Sequence, residues 1–246
     1  MFTPGPDHHV AAQLGLRNNV QRYTLGFMGC CAALPALRMA AQFCEADPQA
    51  VVMVICVEIS TIHFQLDTSD DTLRGNALFG DGAAGAIVSA RPLRAGTSGY
   101  AVRGFETSVI PNSAREMAWR IGDHGFELKL SSYVPDIVGF NVPGLVHTLL
   151  GDATAEKRGA LEWAVHPGGP GILEQVQAAL QLDESHTQAS WQVLAENGNM
   201  SSATVLFVLR KMLLREIHPG KATVALAFGP GLTAEAAHLE RAYAGQ

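Results

Sequence analysis

Gly29-Cys30-Cys31-Ala32-Ala33 is the stretch on which the reading of this chain turns. The apolar run Tyr23–Met28 precedes it, and an apolar segment from Pro35 to Phe43 follows with helical spacing. A short apolar run reads as a buried strand, so the pattern predicts a strand-to-helix turn with Cys30 at the helix N-terminus. There, unpaired backbone N–H groups and the positive end of the helix dipole favour a thiolate over a thiol. Gly29 suits such a turn because it has no side chain to block a substrate. By itself the stretch also fits a small buried hydrophobe, the usual fate of a free cysteine.

Composition sets the frame around that turn. The 246 residues are 48% hydrophobic and 16% charged, with 25 glycines, which indicates a globular α/β chain with too little charge for disorder. Such a length accommodates one large domain or two small ones. The net charge is −6 and no basic run occurs, which speaks against nucleic acid as a partner. Cys30, Cys31, Cys44 and Cys56 form no CxxC pair, and His8-His9 lacks further ligands, so no metal site is expected. Neither a signal-peptide pattern nor a membrane-spanning run of roughly 20 apolar residues is present, and a reduced, cytoplasmic protein is the default expectation.

In chain order, the pattern predicts a helix near 9–16 and a strand at 50–57. That strand is a continuous β-branched run, the signature of a parallel strand buried on both faces. A polar stretch, 65–75, leads to Ala77-Leu78-Phe79-Gly80-Asp81-Gly82, whose glycines indicate closely approaching backbones ahead of a strand. Residues 91–100 read as a boundary. Beyond it come a strand near 100–109, a polar segment 112–125, a helix 134–150 and a short strand 161–165 that runs into His166-Pro167-Gly168-Gly169-Pro170. A helix 172–180, a turn 196–200, a helix carrying Val205 to Leu213, and strands 223–228 and 234–240 complete the pattern. The two stretches 1–95 and 96–246 read as duplicated α/β halves, the second complete and the first not.

Three polar residues stand at turns flanking strands or helices: Cys30, His166 and Asn199. In open α/β sheets, ligands bind beyond such strand ends. A cysteine can attack an acyl thioester, an imidazole can stabilise its thiolate as an ion pair, and His and Asn together can donate to an oxygen gaining negative charge. Taken singly, His166 also fits a capping or core histidine and Asn199 an Asn-Gly turn.

The segments Gly29-Cys30, Ala77–Ala84, Trp163–Leu173, Gly198–Ala203 and Phe228–Thr233, in this order, resemble the type III polyketide synthases of the chalcone and stilbene synthase superfamily. The resemblance runs from about Thr3 to Leu239, and HPGGP with GNMSSA are its most specific motifs. It implies a thiolase-like fold with mixed five-stranded sheets in both halves, the N-terminal half being incomplete here. It implies Cys30 as the nucleophile that accepts a starter acyl group, and His166 and Asn199 as the pair that drives malonyl decarboxylation. Phe79 and Phe126 match gatekeeper phenylalanines between a CoA tunnel and the cavity. Glu58, Ser60, His63, Gly75 and Ser201 match the cavity lining, and Gly229 and Pro230 match a loop shaping its wall. Acyl-CoA and malonyl-CoA are the implied substrates, no cofactor is required, a homodimer is implied if the full fold forms, and a pyrone or resorcinol-type ring is the implied product. Long-chain fatty acyl starters follow from a looser likeness to bacterial members.

Several positions depart from the pattern. His63 replaces a small hydroxyl residue of plant members, Cys31 replaces a bulky aromatic, and Pro35 sits early in the expected helix as a tolerated kink. Thr3 falls where family members send a residue into the partner's cavity. Family members also carry a substantial segment before the equivalent of Thr3, including CoA-gripping basic residues that match nothing here. The expectation is a truncated or split synthase, or a misassigned start. The alternatives are a ketoacyl synthase III-like enzyme making one condensation, and an inactive remnant acting as a binding partner.

Overall fold

Trp163, Val165, Val224 and Leu226 have no exposed surface and mark the centre of the molecule. They lie on neighbouring parallel strands in a computed structural model that describes residues 3–66, 68–122, 125–152, 154–215 and 219–245.

The chain opens with α1 (Pro6–Gln13) and an irregular stretch through residue 28, then a 3-10 turn at Gly29–Cys31 that leads into α2 (Ala33–Ala46). β1 (Val51–Glu58), a 3-10 turn at Ser60–His63, α3 (Asp70–Leu78) and β2 (Gly82–Ser89) complete the first half. The second half runs β3 (Ser98–Val109), β4 (Met117–Gly122), β5 (Gly125–Leu130), α4 (Val134–Leu150), α5 (Ala155–Gly159), β6 (Glu162–Val165), α6 (Pro170–Leu180) and α7 (Gln188–Asn197). It ends with a 3-10 turn at Ser201–Ala203, α8 (Thr204–Leu213), β7 (Ala222–Gly229) and β8 (Thr233–Tyr243).

A mixed sheet in the order β3-β8-β7-β6 is the scaffold; only β6 and β7 are parallel within it. Alternation along β7 sends Val224, Leu226 and Phe228 to the side of α4 and α6, while Ala225 and Ala227 join the cluster of α2 and α8. The small alanines let those helices lie close to the sheet. α8 meets the sheet with Val205, Val208, Leu209 and Met212, an i, i+3, i+4, i+7 stripe. Beyond α2 lies the two-stranded antiparallel sheet of β1 and β2.

Four expectations need correction. The run Tyr23–Met28 forms no strand: among the described residues it joins no strand ladder, and Phe27 is 83% exposed. β1 is antiparallel to β2, and only one of its faces is buried. Val54 and Cys56 are buried toward α2, whereas Val51 is 54% exposed. A continuous apolar run signals two-sided burial, but Val51, Met53 and Val57 leave the second face partly exposed. Among the described residues the second half's main sheet carries four strands where five are expected, with β4 and β5 paired as a separate hairpin, and the first half, expected to be incomplete, carries two. Pro35 produces no kink: it occupies the first turn of α2, where an amide has no intrahelical partner in any case.

An ion pair ties α2 to the scaffold. Arg38 donates to Glu235 at 2.9 Å and to Thr107 Oγ1 at 2.6 Å, and Thr107 donates to the same carboxylate at 2.8 Å. Glu235 is 2% exposed. Burial pushes its carboxyl above the usual range, against the pull of Thr107 and Arg38. Arg38→Met should cost about 2–3 kcal/mol in urea unfolding at pH 7, because it strands a buried carboxylate. Adding Glu235→Gln should recover most of that loss; an unchanged midpoint in the single variant would show the pair to be without effect.

Candidate functional site

Each of the three polar residues is delivered by a turn that the local sequence dictates. Gly29, at φ +56°, opens the 3-10 turn that puts Cys30 immediately before α2. The parallel pairing of β6 with β7 continues one residue past β6, where His166 N–H donates to Leu226 O at 2.7 Å; the chain then turns through Gly168-Gly169 into Pro170 at the start of α6. Asn199 is fixed by two backbone bonds to the Phe79 segment: its N–H donates to Leu78 O, and Gly80 N–H donates to Asn199 O, both at 2.9 Å. A Cβ on Gly80 would lie 2.9 Å from Asn197 O, so the glycine-rich segment expected to mark a close approach of backbones does so here.

Cys30, His166 and Asn199 are all buried and line one cavity of about 1970 Å³. The Cys30 sulfur lies 3.9 Å from Asn199 Oδ1 and 4.0 Å from Nδ2. Two bonds orient the amide: Ser201 N–H donates to Oδ1 at 2.9 Å, and Nδ2 donates to Gly168 O at 3.3 Å. Neither ring nitrogen of His166 has a hydrogen-bond partner. Buried polar atoms are nearly always paired, so this imidazole is left open toward whatever the cavity receives.

Electrostatics correct the expected thiolate–imidazolium pair. Burial pushes the Cys30 thiol up to about 11, with Glu58 adding to the rise and Ser201 and Asn199 hydrogen bonds opposing it. Burial alone lowers His166 to about 4. Desolvation therefore outweighs the helix N-terminus, and the cavity is lined by a neutral thiol and a neutral imidazole.

Glu58, Ser60, His63, Phe79, Ser201 and Pro230 line the same cavity. Gly75 does not: it faces the hairpin, where a Cβ would meet Leu128 Cδ2 at 3.0 Å. Gly229 does not either, since it packs beneath the nucleophile turn against Cys31 and Met28. The side chain of Phe126 lies outside the described residues. Cys31 is fully buried and its thiol donates to Met28 O at 3.2 Å, and Thr3 is exposed on the opening loop.

Sequence reading draws only Phe126 from the β4–β5 hairpin and misses Trp119 and Leu128. Trp119 and Leu128 both face the cavity, and the Trp119 ring lies 5.3 Å from that of His63 at 50°. Apolar alternation at Met117, Trp119 and Ile121 was the available signal, inside a stretch taken as polar. Among the described residues no cluster of three His, Cys, Asp or Glu side chains could hold a metal, and no helix is long and apolar enough to cross a membrane.

Residues 103–242 match the C-terminal domain of chalcone and stilbene synthases, and residues 1–92 match the N-terminal domain. A protein of Dictyostelium discoideum named as a probable polyketide synthase 1 is 33% identical over 232 residues, 92% of this chain but 7% of that protein. The C-terminal type III polyketide synthase domain of Steely1, from Dictyostelium, superposes with a TM-score of 0.90 at 31% identity, over 98% of this chain and 67% of that one. The 1,3,6,8-tetrahydroxynaphthalene synthase of Streptomyces coelicolor A3(2) gives 0.89 at 27%, over 98% and 68%. A type III pentaketide synthase of Neurospora crassa gives 0.84 at 31%, over 98% and 70%. The chain thus spans about two thirds of each of these structures and a small fraction of the Dictyostelium protein.

Proposed function

The chain belongs to the chalcone and stilbene synthase family, with the thiolase-like α/β fold of the type III polyketide synthases, and from that premise we propose that it condenses acyl-CoA with malonyl-CoA on Cys30. The observation that supports this reading is the convergence of Cys30, His166 and Asn199, from three separate turns, on one cavity. We divide the chain into a half carrying the nucleophile, 1–95, and a half carrying the histidine and asparagine, 96–246. The substrates are an acyl-CoA starter and malonyl-CoA, no cofactor takes part, and the working assembly is a homodimer. All four thiols are free, which suits a reducing, cytoplasmic setting.

The resting neutral pair dictates how the first step proceeds. The Cys30 thiol passes its proton to His166 as the sulfur attacks the starter thioester. A sulfur–acyl bond forms on Cys30, the bond to CoA breaks, and the imidazolium returns the proton to the departing CoA thiolate. Malonyl-CoA then loses carbon dioxide, and its electron pair passes into an enolate whose oxygen accepts hydrogen bonds from His166 and Asn199 Nδ2. Each donor aimed at such an oxygen contributes about 3 kcal/mol. The enolate carbon attacks the Cys30 thioester, a carbon–carbon bond forms and the sulfur leaves. Repetition and cyclisation in the cavity produce a pyrone or resorcinol-type ring.

Mass spectrometry after incubation with a fatty acyl-CoA tests the loading step. An acyl adduct on Cys30, absent from Cys30→Ala, is the expected result, followed by ring products when malonyl-CoA is added without a carrier protein. A folded protein that takes up no acyl group would sink the reading. A single condensation that requires a carrier protein would favour the ketoacyl synthase III-like alternative.

A further inference from the structure

We propose that Glu58 is a positioning residue for the nucleophile, holding the turn that aims Asn199 at Cys30; this deepens the reading above and rests on it for its catalytic consequence. Glu58 ends β1 in the first half and is half-buried. Its Oε1 accepts from Ser202 twice, from the backbone N–H at 3.3 Å and from the hydroxyl in a short bond. Ser202 is 4% exposed and belongs to the 3-10 turn Ser201–Ala203, where Ser201 adopts φ +50°. Ser201 in turn donates its N–H to Asn199 Oδ1, which fixes the amide with Nδ2 toward Gly168 O and the Cys30 sulfur.

One carboxylate oxygen therefore anchors a continuous chain of contacts from the end of β1, through Ser202 and Ser201, to Asn199 and the sulfur. A backbone that adopts φ > 0 at a non-glycine residue persists only where its surroundings over-determine it. Glu58 supplies that constraint from the opposite half of the molecule, so the β1 end and the asparagine turn keep a fixed separation across the cavity. Its charge also acts on the nucleophile: Glu58 and Cys31 interact electrostatically with the Cys30 thiol, His166 lines the same cavity, and the carboxylate contributes to holding the thiol protonated.

Three variants separate the anchor from the charge and from simple lining. Glu58→Gln keeps an oxygen for Ser202 to donate to and removes the charge; Glu58→Ala removes both; Ser202→Ala removes the hydroxyl from the other end of the contact. The first readout is alkylation of Cys30 by iodoacetamide in the substrate-free protein, followed by peptide mass spectrometry from pH 7 to 11. Glu58→Gln should move the alkylation profile to lower pH by about 1 pH unit. The second readout is malonyl-CoA decarboxylation by the acyl-loaded protein. Glu58→Ala and Ser202→Ala should lower kcat about 10- to 100-fold with KM changed less than threefold, and Glu58→Gln should recover at least tenfold of the alanine loss. A rise in KM shared by both Glu58 variants, with kcat held and the alkylation profile unmoved, would overturn the proposal in favour of a lining role. If Glu58→Ala fails to fold, Glu58→Gln and Ser202→Ala decide by the same two readouts. Wild-type protein inert toward malonyl-CoA would defeat the polyketide reading alone; hydrogen exchange at the Ser201–Ala203 turn would still decide the anchor, since Glu58→Ala and Ser202→Ala should speed it about tenfold and Glu58→Gln should not, and equal exchange in all of these proteins would overturn it.

Discussion

His166→Gln is expected to slow malonyl-CoA decarboxylation by about 100- to 1000-fold and, in the same protein, to flatten the loss of stability in acid. The two effects have one origin. The imidazole is buried with neither nitrogen paired, and burial lowers it to about 4 from an ordinary 6.5. A group whose folded-state pKa is depressed contributes fully above its unfolded value and loses that contribution as pH falls toward the folded value. The unfolded chain binds this proton from about pH 6.5 downward while the native site refuses it until about 4. Wild-type stability should therefore fall between those limits by about 2 kcal/mol at pH 5 from this residue, and glutamine, which does not titrate, should remove that slope. Urea unfolding of both proteins at pH 7.5, 6 and 5 measures it. Equal slopes in the two proteins would mean that His166 is charged or water-linked in the native state. A variant with normal decarboxylation would remove the histidine from the oxyanion role.

Motifs built from local constraint were legible, and contacts between distant segments were not. The HPGGP turn could be read because a strand end, two glycines and a proline at a helix start leave the backbone few choices. Asn199 could be suspected from its turn, but its exact partner could not: the bridge to Leu78 and Gly80 joins residues about 120 positions apart. The irregular path of residues 23–28 shows the opposite failure. An apolar run states a preference for a strand, yet a strand requires a neighbour with which to exchange backbone hydrogen bonds, and none stands beside this one among the described residues. The charge state of Cys30 was misread for a related reason. A helix N-terminus is visible in sequence, whereas the depth of burial that outweighs it depends on the closure of two halves around the sulfur. Trp119 escaped notice because a hairpin of two six-residue strands was hidden among polar neighbours.

Gly229→Ala should destabilise the protein by about 3 kcal/mol and impair acylation of Cys30, although residue 229 reaches neither the cavity nor a substrate. A Cβ at this position would lie 2.5 Å from Cys31 Sγ and 2.5 Å from Met28 O. Neither neighbour can retreat cheaply. Cys31 is wholly buried, and its thiol is already bonded to that same carbonyl, while Met28 leads straight into Gly29 at φ +56°. From the other side a Cβ on Gly29 would lie 2.6 Å from the Pro230 ring, so the nucleophile turn and the β7–β8 turn are pressed together at two successive points. An added methyl in so tight a contact is relieved by backbone shift, at a cost typical of overpacking, and the shift moves the residue before Cys30. Cys31→Ala in the Gly229→Ala background removes the sulfur but leaves the Met28 carbonyl in place, so it should restore only part of the lost stability. Urea unfolding supplies the first number, and the rate of acyl-adduct formation from acyl-CoA supplies the second. Full recovery in the double variant would assign the whole clash to sulfur; wild-type behaviour of Gly229→Ala in both measurements would refute the idea that this contact holds the nucleophile turn in place.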